Sequence, residues 1–292
     1  MSRPSEPELR ANLSPPPSPE MSSSCAKKFV DQSDFESHIL NAIRSASEPQ
    51  VLVFTDVSSS WGERIVDLIN ETSDGHSTRK SYNSSIKVLR IRIMPTEVHD
   101  CCQDWWRVSE ITLRDVGDLT GYEQAQIDVR VGTMLQFPWG PYTSSRKEPD
   151  LFVRSSCDRL PSFVIESGWS ESWNALMNDM NLLLVGGNGD VRAVAILKWN
   201  LNRPTRLVSG FVELYVRDRN GIPVKRQREE IFPVPTETGT QRLELTRQEV
   251  FGPHLTPDPA RTQSPNTILY LEIEDLRAVA LRALHRMDLS PA

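Results

Sequence analysis

No stretch of this 292-residue chain reaches the roughly 18 consecutive apolar residues that a helical membrane span needs. The opening residues, MSRPSEPELRANLSPPPSPEMSSS, also lack the apolar run of about seven that a secretory leader carries. Cysteine is scarce: Cys25, Cys101, Cys102 and Cys157 form neither a CxxC pair nor a disulfide framework. Reduced thiols in a cytosolic or nuclear compartment are the simplest expectation, and the sequons at Asn12, Asn70 and Asn83 then carry no weight. A basic field is missing too. The formal net charge is −6 and the pI about 5.5, so no global positive potential recruits nucleic acid, although a local basic cleft stays compatible. There is no repeat of 20–50 residues and no GxSxG elbow. Gly186-Gly187-Asn188-Gly189-Asp190 lacks the GK[S/T] ending of a phosphate loop and reads as a tight turn. His99-Asp100-Cys101-Cys102 has no second Cys/His pair at a zinc spacing, so a structural role is expected for it.

What is present is a run of short apolar segments at alternating helical and strand periods. The length allows one large domain or two small ones. The expectation is a single α/β domain over residues 28–292 behind a disordered Pro/Ser/Glu-rich tail at 1–27. Ser14-Pro15 and Ser18-Pro19 read either as proline-directed phosphorylation sites or as incidental pairs in that tail. Ser33 is a good N-cap ahead of Phe35, Ile39, Leu40 and Ile43 on one helical face. Residues 50–57 (QVLVFTDV) read as a strand. Trp61, Ile65, Leu68 and Ile69 mark a second amphipathic helix, and polar 73–85 a loop. Residues 85–94 alternate like a half-buried strand, with one slip near Leu89. Helical pattern returns across 98–108 and 123–131. Residues 207–217 and about 224–232 pair as strands around Asn220-Gly221, a hairpin-turn signal. RLELTRQEVF and TILYLEI read as further strands. Residues 275–287 close the chain as an amphipathic helix with Leu276, Val279, Ala280 and Leu284 inside.

Residues 148–200 say most: EPDLFVRSSCDRLPSFVIESGWSESWNALMNDMNLLLVGGNGDVRAVAILKWN. Two apolar runs each carry one carboxylate, Asp150 behind Pro149 at the head of LFV and Glu166 at the end of PSFVIE. Ser170 reads as the N-cap of a helix whose buried stripe is Trp173, Leu176, Met177 and Met180. A third apolar run follows and ends near Lys198. Acids at the ends of neighbouring strands can meet at one point, the geometry a hard divalent cation asks of oxygen ligands. Each acid also has a plainer use, since Asp after Pro opens turns and strands and Glu166 can cap the helix that follows.

That order, strand–strand–helix–strand with an Asp and a Glu in those places, resembles the core of the PD-(D/E)xK nuclease superfamily, the restriction-endonuclease-like fold. Within it the ESGWSES segment and the VRAVAILK run are most similar to Uma2-type endonuclease-like proteins and to fungal proteins with a VVEVGxSES-like segment. The resemblance implies an α/β fold, a mixed sheet flanked by helices, with a nuclease-like core at about residues 120–200 and N- and C-terminal elaborations. It implies Mg²⁺ or Mn²⁺ held by Asp150 and Glu166, with Glu123 (second choice Glu110) as an earlier acid. The metal would polarise a scissile phosphate and activate water. One departure stands out: Glu166-Ser167-Gly168 puts glycine where the superfamily has its lysine. Lys198, on the strand expected beside Glu166, is the candidate migrated cation, and otherwise a solvated strand-end lysine. Arg154 and Lys147 lie nearer Asp150 in sequence but match no pattern. Glu171 and Asp179 either support the site or serve as a helix N-terminal charge and a solvated side chain. Trp169 and Trp173 either stack bases or pack in the core. Three functions are carried forward: a Mg²⁺-dependent nuclease acting on nucleic acid, a degenerate nuclease-fold protein acting as a binding or regulatory module, and an α/β scaffold for protein contacts.

Overall fold

The computed structural model describes residues 20–72, 77–169, 171–236, 239–261 and 263–292. In chain order they form β1 (Glu20–Cys25), α1 (Gln32–Ser45), β2 (Gln50–Thr55), α2 (Ser59–Thr72), β3 (Thr78–Asn83), β4 (Val88–Ile93), α3 (Glu97–Asp115) and α4 (Gly121–Gln124). Then come β5 (Ile127–Arg130), β6 (Leu135–Phe137), β7 (Ser145–Lys147), β8 (Leu151–Ser155), β9 (Phe163–Gly168), α5 (Trp173–Gly186), β10 (Ala193–Asn202) and β11 (Leu207–Arg217). The chain closes with β12 (Pro223–Phe232), β13 (Arg242–Thr246), α6 (Arg247–Phe251), β14 (Ile268–Glu272), α7 (Ile273–Arg286) and β15 (Ser290–Pro291).

Two mixed sheets organise these elements. One runs β1-β2-β4-β3-β7-β6 and is antiparallel except where β1 lies parallel to β2. The other runs β12-β11-β10-β9-β8-β5, with β15 added parallel to β11. In it β9 and β10 are parallel and joined by α5, and the remaining neighbours are antiparallel. β13 and β14 form a separate antiparallel ribbon.

Each sheet explains its own sequence pattern. In the first, Phe35, Ile39 and Ile43 of α1 recur at helical spacing and pack with Phe54, Leu89 and Ile91. In the second, Leu151, Val153, Phe163, Ile165, Ala195 and Leu197 face α3 and α7. The alternate residues Phe152, Val164, Val194 and Ile196 face α5. Strands covered on both faces read as continuous apolar runs rather than alternating ones, as LFV, FVI and AVAIL do.

Several expectations are corrected. Residues 20–25 of the supposed tail form β1, whose backbone pairs with β2 despite a polar sequence; residues 1–19, including the two Ser-Pro pairs and Asn12, lie outside those described. Asp31, not Ser33, caps α1, accepting the Asp34 amide at 2.9 Å. The polar stretch after α2 contains β3, whose Lys80, Ser81 and Asn83 are buried by polar partners, so hydrophobicity could not reveal it. The slip in 85–94 arises because Lys87 turns the chain at φ 53°. From Val88 the alternation is regular, with Leu89, Ile91 and Ile93 on the core side. The helical pattern expected over 123–131 is one turn, α4, followed by strand β5. RLELTRQEVF splits into β13 and α6. Ser170 lies outside the described residues, and Ser172 caps α5, accepting the Ala175 amide.

No described helix is long and apolar enough to cross a membrane. All four cysteines are free. Phe35 is fully buried, with ring centroids 5.2 Å from Phe54 and 5.3 Å from Trp61. Phe35→Ala is therefore expected to lower unfolding free energy by about 3–5 kcal/mol in urea denaturation.

Candidate functional site: a buried ionic seam

The two sheets meet along a line of charge. From the second sheet and its crossover come four acids: Asp150 at the head of β8, Glu166 in β9, Glu171 in the loop after it, and Asp179 in α5. From the first come Arg90 and Arg92 of β4 and Lys147 at the end of β7. His99 of α3 joins them from the far side of the second sheet. Leu151 pairs with Ile165, which sets Asp150 and Glu166 side by side on neighbouring strands.

The partners are specific. Asp150 Oδ1 receives Arg92 at 3.1 Å, and Asp150 Oδ2 accepts the Ser167 amide at 2.8 Å. His99 Nε2 lies 3.3 Å from Asp150 Oδ2, and its Nδ1 is 3.0 Å from Asp100. Arg92 also donates through Nε to Glu171 at 2.7 Å. Lys147 Nζ stands between Glu166 Oε2 at 2.8 Å and Asp179 Oδ2 at 3.0 Å. Arg90 reaches the same Asp179 oxygen at 3.0 Å. Beside this, Lys80 holds Glu148 through both its amide at 2.9 Å and its ammonium at 3.0 Å. The four acids and His99 are each less than 4% exposed.

Burial at that depth splits the acids. Desolvation raises every one of them. At Asp150 the charges of His99, Arg92 and Lys147 override it and hold the carboxyl well below the usual range. At Glu166 desolvation wins: Lys147 opposes it, but Asp150 and Asp179 reinforce it, and Glu166 is pushed up to about 8. The physical reason is that Lys147 divides one charge between two carboxylates. His99 is lowered by burial and by Arg92, yet Asp150 and Asp100 carry it up to about 9. Arg92 holds Glu171 below its ordinary value against desolvation, and Lys147 and Arg90 do the same for Asp179.

Of the residues singled out from sequence, Asp150 and Glu166 come together. Glu123 does not join them: fully buried, it closes the capping box of α4 with Thr120 and pairs with Arg247. Glu110 accepts from Gln124. Lys198, half-buried on β10 opposite Gly168, donates to the backbone carbonyl of Glu171 at 2.9 Å, and burial lowers its pKa. Arg154 pairs with Asp128. Lys147, set aside because it matched no motif, is the cation beside Glu166. Arg90 and Arg92 were missed, and His99 was expected only in a structural role, because the seam carboxylates they meet lie 51 or more positions away in the chain. The signal available was Arg90 and Arg92 alternating on one face of an otherwise apolar strand. Asp179 is buried, not solvated. Trp169 packs in the core, and Trp173 rests on Phe211 with centroids 5.4 Å apart.

A divalent cation does not fit this donor set as it stands. Mg²⁺ wants an octahedron of oxygens, and the described residues offer no group of three His, Cys, Asp or Glu placed to hold a metal ion. Both oxygens of Asp150 already face a guanidinium, an imidazole and an amide, and an ammonium stands at Glu166. The recess over Lys80, Arg90, Arg92 and Lys147 has room for only about 10 Å³. A side chain at position 168 would crowd Leu176, since a Cβ there would meet its Cδ1 at 2.6 Å.

Compared with known proteins, the chain matches no family model and no curated protein.

Two outcomes follow from the geometry. Gly168→Ala pushes Leu176 of α5 away from β9 and should cost about 1–3 kcal/mol in thermal or urea unfolding. The pH dependence has a defined sign. Glu166 and His99 both titrate higher in the folded state, about 8 against 4.5 and about 9 against 6.5. Their contributions are complete below the unfolded values and are lost as pH rises through the folded ones. Asp150, held low, acts only below its ordinary 3.8 and leaves that window flat. Stability in urea should therefore fall from pH 4.5 to 9, and Glu166→Gln should flatten the part between 4.5 and 6.5 while leaving the fall due to His99 from 6.5 to 9.

Proposed function

We propose that this chain is a nuclease-like scaffold whose acidic centre is neutralised from within, and that it works as a binding or regulatory module rather than as a phosphodiesterase. One observation carries the reading: Arg92, His99 and Lys147 stand 2.8–3.3 Å from the Asp150 and Glu166 carboxylates that the resemblance would give to Mg²⁺. Protein cations do there the charge balancing that a metal would otherwise do. The β8–β9 hairpin, the α5 crossover and the parallel β10 support the nuclease-like part of the reading. Closure of the site and glycine at position 168 support the non-catalytic part.

The rival reading, a Mg²⁺-dependent nuclease, keeps one observation on its side. Lys147, rather than Lys198, stands where a water-positioning cation could serve Glu166. Calorimetric titration separates the two. With the acids already paired, Mn²⁺ and Mg²⁺ should show no saturable site in the wild-type protein. Asp150→Ala should cost about 3–5 kcal/mol of stability, because it leaves Arg92 and His99 buried without their carboxylate. A single metal site in the wild type, lost in Asp150→Ala while unfolding stays cooperative, would sink the proposal and revive the nuclease.

A further inference from the structure

The turn that leaves α5 and the hairpin turn between β11 and β12 stand together at the end of the second sheet. This is the opposite end of α5 and β10 from Glu171 and Lys198. Between them lies a groove of about 440 Å³, within the roughly 300–1,000 Å³ of small-molecule sites. Three arginines line it: Arg192, Arg217 and Arg219.

Their lack of counter-charge is what sets them apart. The ion pairs among the described residues include none to Arg192, Arg217 or Arg219, whereas thirteen other arginines are paired with carboxylates. Two acids also line the groove: Glu249 is paired with Arg226, whereas Asp218 is turned into the hairpin by backbone amides. Three cations therefore face one carboxylate that makes no ion pair among the described residues. Asp218 Oδ1 accepts the Asn220 and Ile222 amides at 2.8 Å each, which folds the hairpin turn. Glu249 grips Arg226 at 2.7 and 3.2 Å and closes the cap of α6. The Arg192 Nε is buried and has no hydrogen-bond partner, a costly state for a charged donor unless an acceptor arrives.

Arg217 is held in place by the backbone. Its Nε donates to the Gly221 carbonyl at 3.1 Å. Its guanidinium lies so close to the two turns that a Cβ would meet it at 2.5 Å on Gly221 and 3.4 Å on Gly189. Both glycines have positive φ, +80° and +99°. The glycine-rich GGNGD run, which is no phosphate loop, thus provides one wall of a cradle for an arginine.

We propose that this groove is an anion site for an oligophosphate group, built from the juxtaposition of Arg192, Arg217 and Arg219 between two glycine turns. Guanidinium forks match phosphate oxygens two at a time, and three like charges in one groove call for a multiply charged ligand. A chain of net charge −6 offers no general attraction for such an anion, so its capture depends on this local cluster. The inference is independent of the ionic seam between the sheets.

The test is calorimetric titration of the full-length protein with pyrophosphate and, separately, with ADP at 0.15 M salt, roughly physiological strength. Saturable one-site binding is expected. Exposed Arg219→Met together with Arg192→Met should weaken it by roughly tenfold or more. Gly221→Ala keeps all three charges but displaces Arg217, and should weaken it too. Circular dichroism checks that each variant is folded, and Asp150→Ala, at the seam, should bind like wild type. ADP binding tighter than pyrophosphate would identify a nucleotide as the source of the group. Equal or weaker ADP binding would identify an inorganic chain. Absence of saturable binding by either probe, or affinity unchanged in the double variant or in Gly221→Ala, overturns the proposal.

Discussion

Arg92 joins the two halves of this fold. Its guanidinium leaves β4 in the first sheet and ends on Asp150 and Glu171 in the second, with all three groups nearly out of solvent. Burying any one of these charges alone would cost several kcal/mol. Burying them against each other makes the arrangement all-or-none. The sheets must meet in one register, because a slip of one residue along β4 would swap Arg90 and Arg92 for Leu89 and Ile91 and leave the acids bare. Lys147 repeats the logic one strand over, between Glu166 and Asp179. A buried ion pair is weak evidence of added stability against a well-packed apolar replacement. What it constrains is register, since these charges meet in this docking of two sheets that each have a core of their own.

The same constraint bears on chemistry. Two acids on neighbouring strands are what a metal-dependent phosphodiesterase uses, and a sheet that contributed only those acids would leave them open to a cation. In this chain a second sheet brings its own cations to them. Which acid carries a proton then follows from how many positive groups each one faces. Asp150 faces Arg92, His99 and a backbone amide and stays ionised, whereas Glu166 faces a lysine it must share and leans towards the neutral form. The groove at the far end of α5 is the complement of this arrangement. There the carboxylates are engaged in turn and cap geometry, and the three arginines have no carboxylate partner among the described residues.

Much of the fold was legible in the sequence where local physics decides. The strand–strand–helix–strand order of residues 148–200, the Asn220-Gly221 hairpin and the closing helix all follow from periodicity and turn chemistry, which act over a few residues. Elements stabilised by partners rather than by their own side chains were hidden. β1 and β3 are polar and exist because a neighbouring strand takes up their backbone groups. The helical reading of 123–131 failed for the same reason, since β5 is held by its ladder to β8.

The candidate site divides along the same line. Sequence alone pointed to Asp150 and Glu166 on adjacent strands, though Glu166 lies within β9 rather than at its end. It determined that position 168 holds no lysine and that the composition carries no global basic field. Those are matters of composition and short-range order. Only tertiary structure decided that Lys147 rather than Lys198 is the cation at Glu166, and that Glu123 is committed to a cap and to Arg247. Only tertiary structure brought Arg90, Arg92 and His99 onto the acids. The reason is physical: an ion pair depends on distance in space, and no local pattern records which charge 50 or 90 residues away will arrive there.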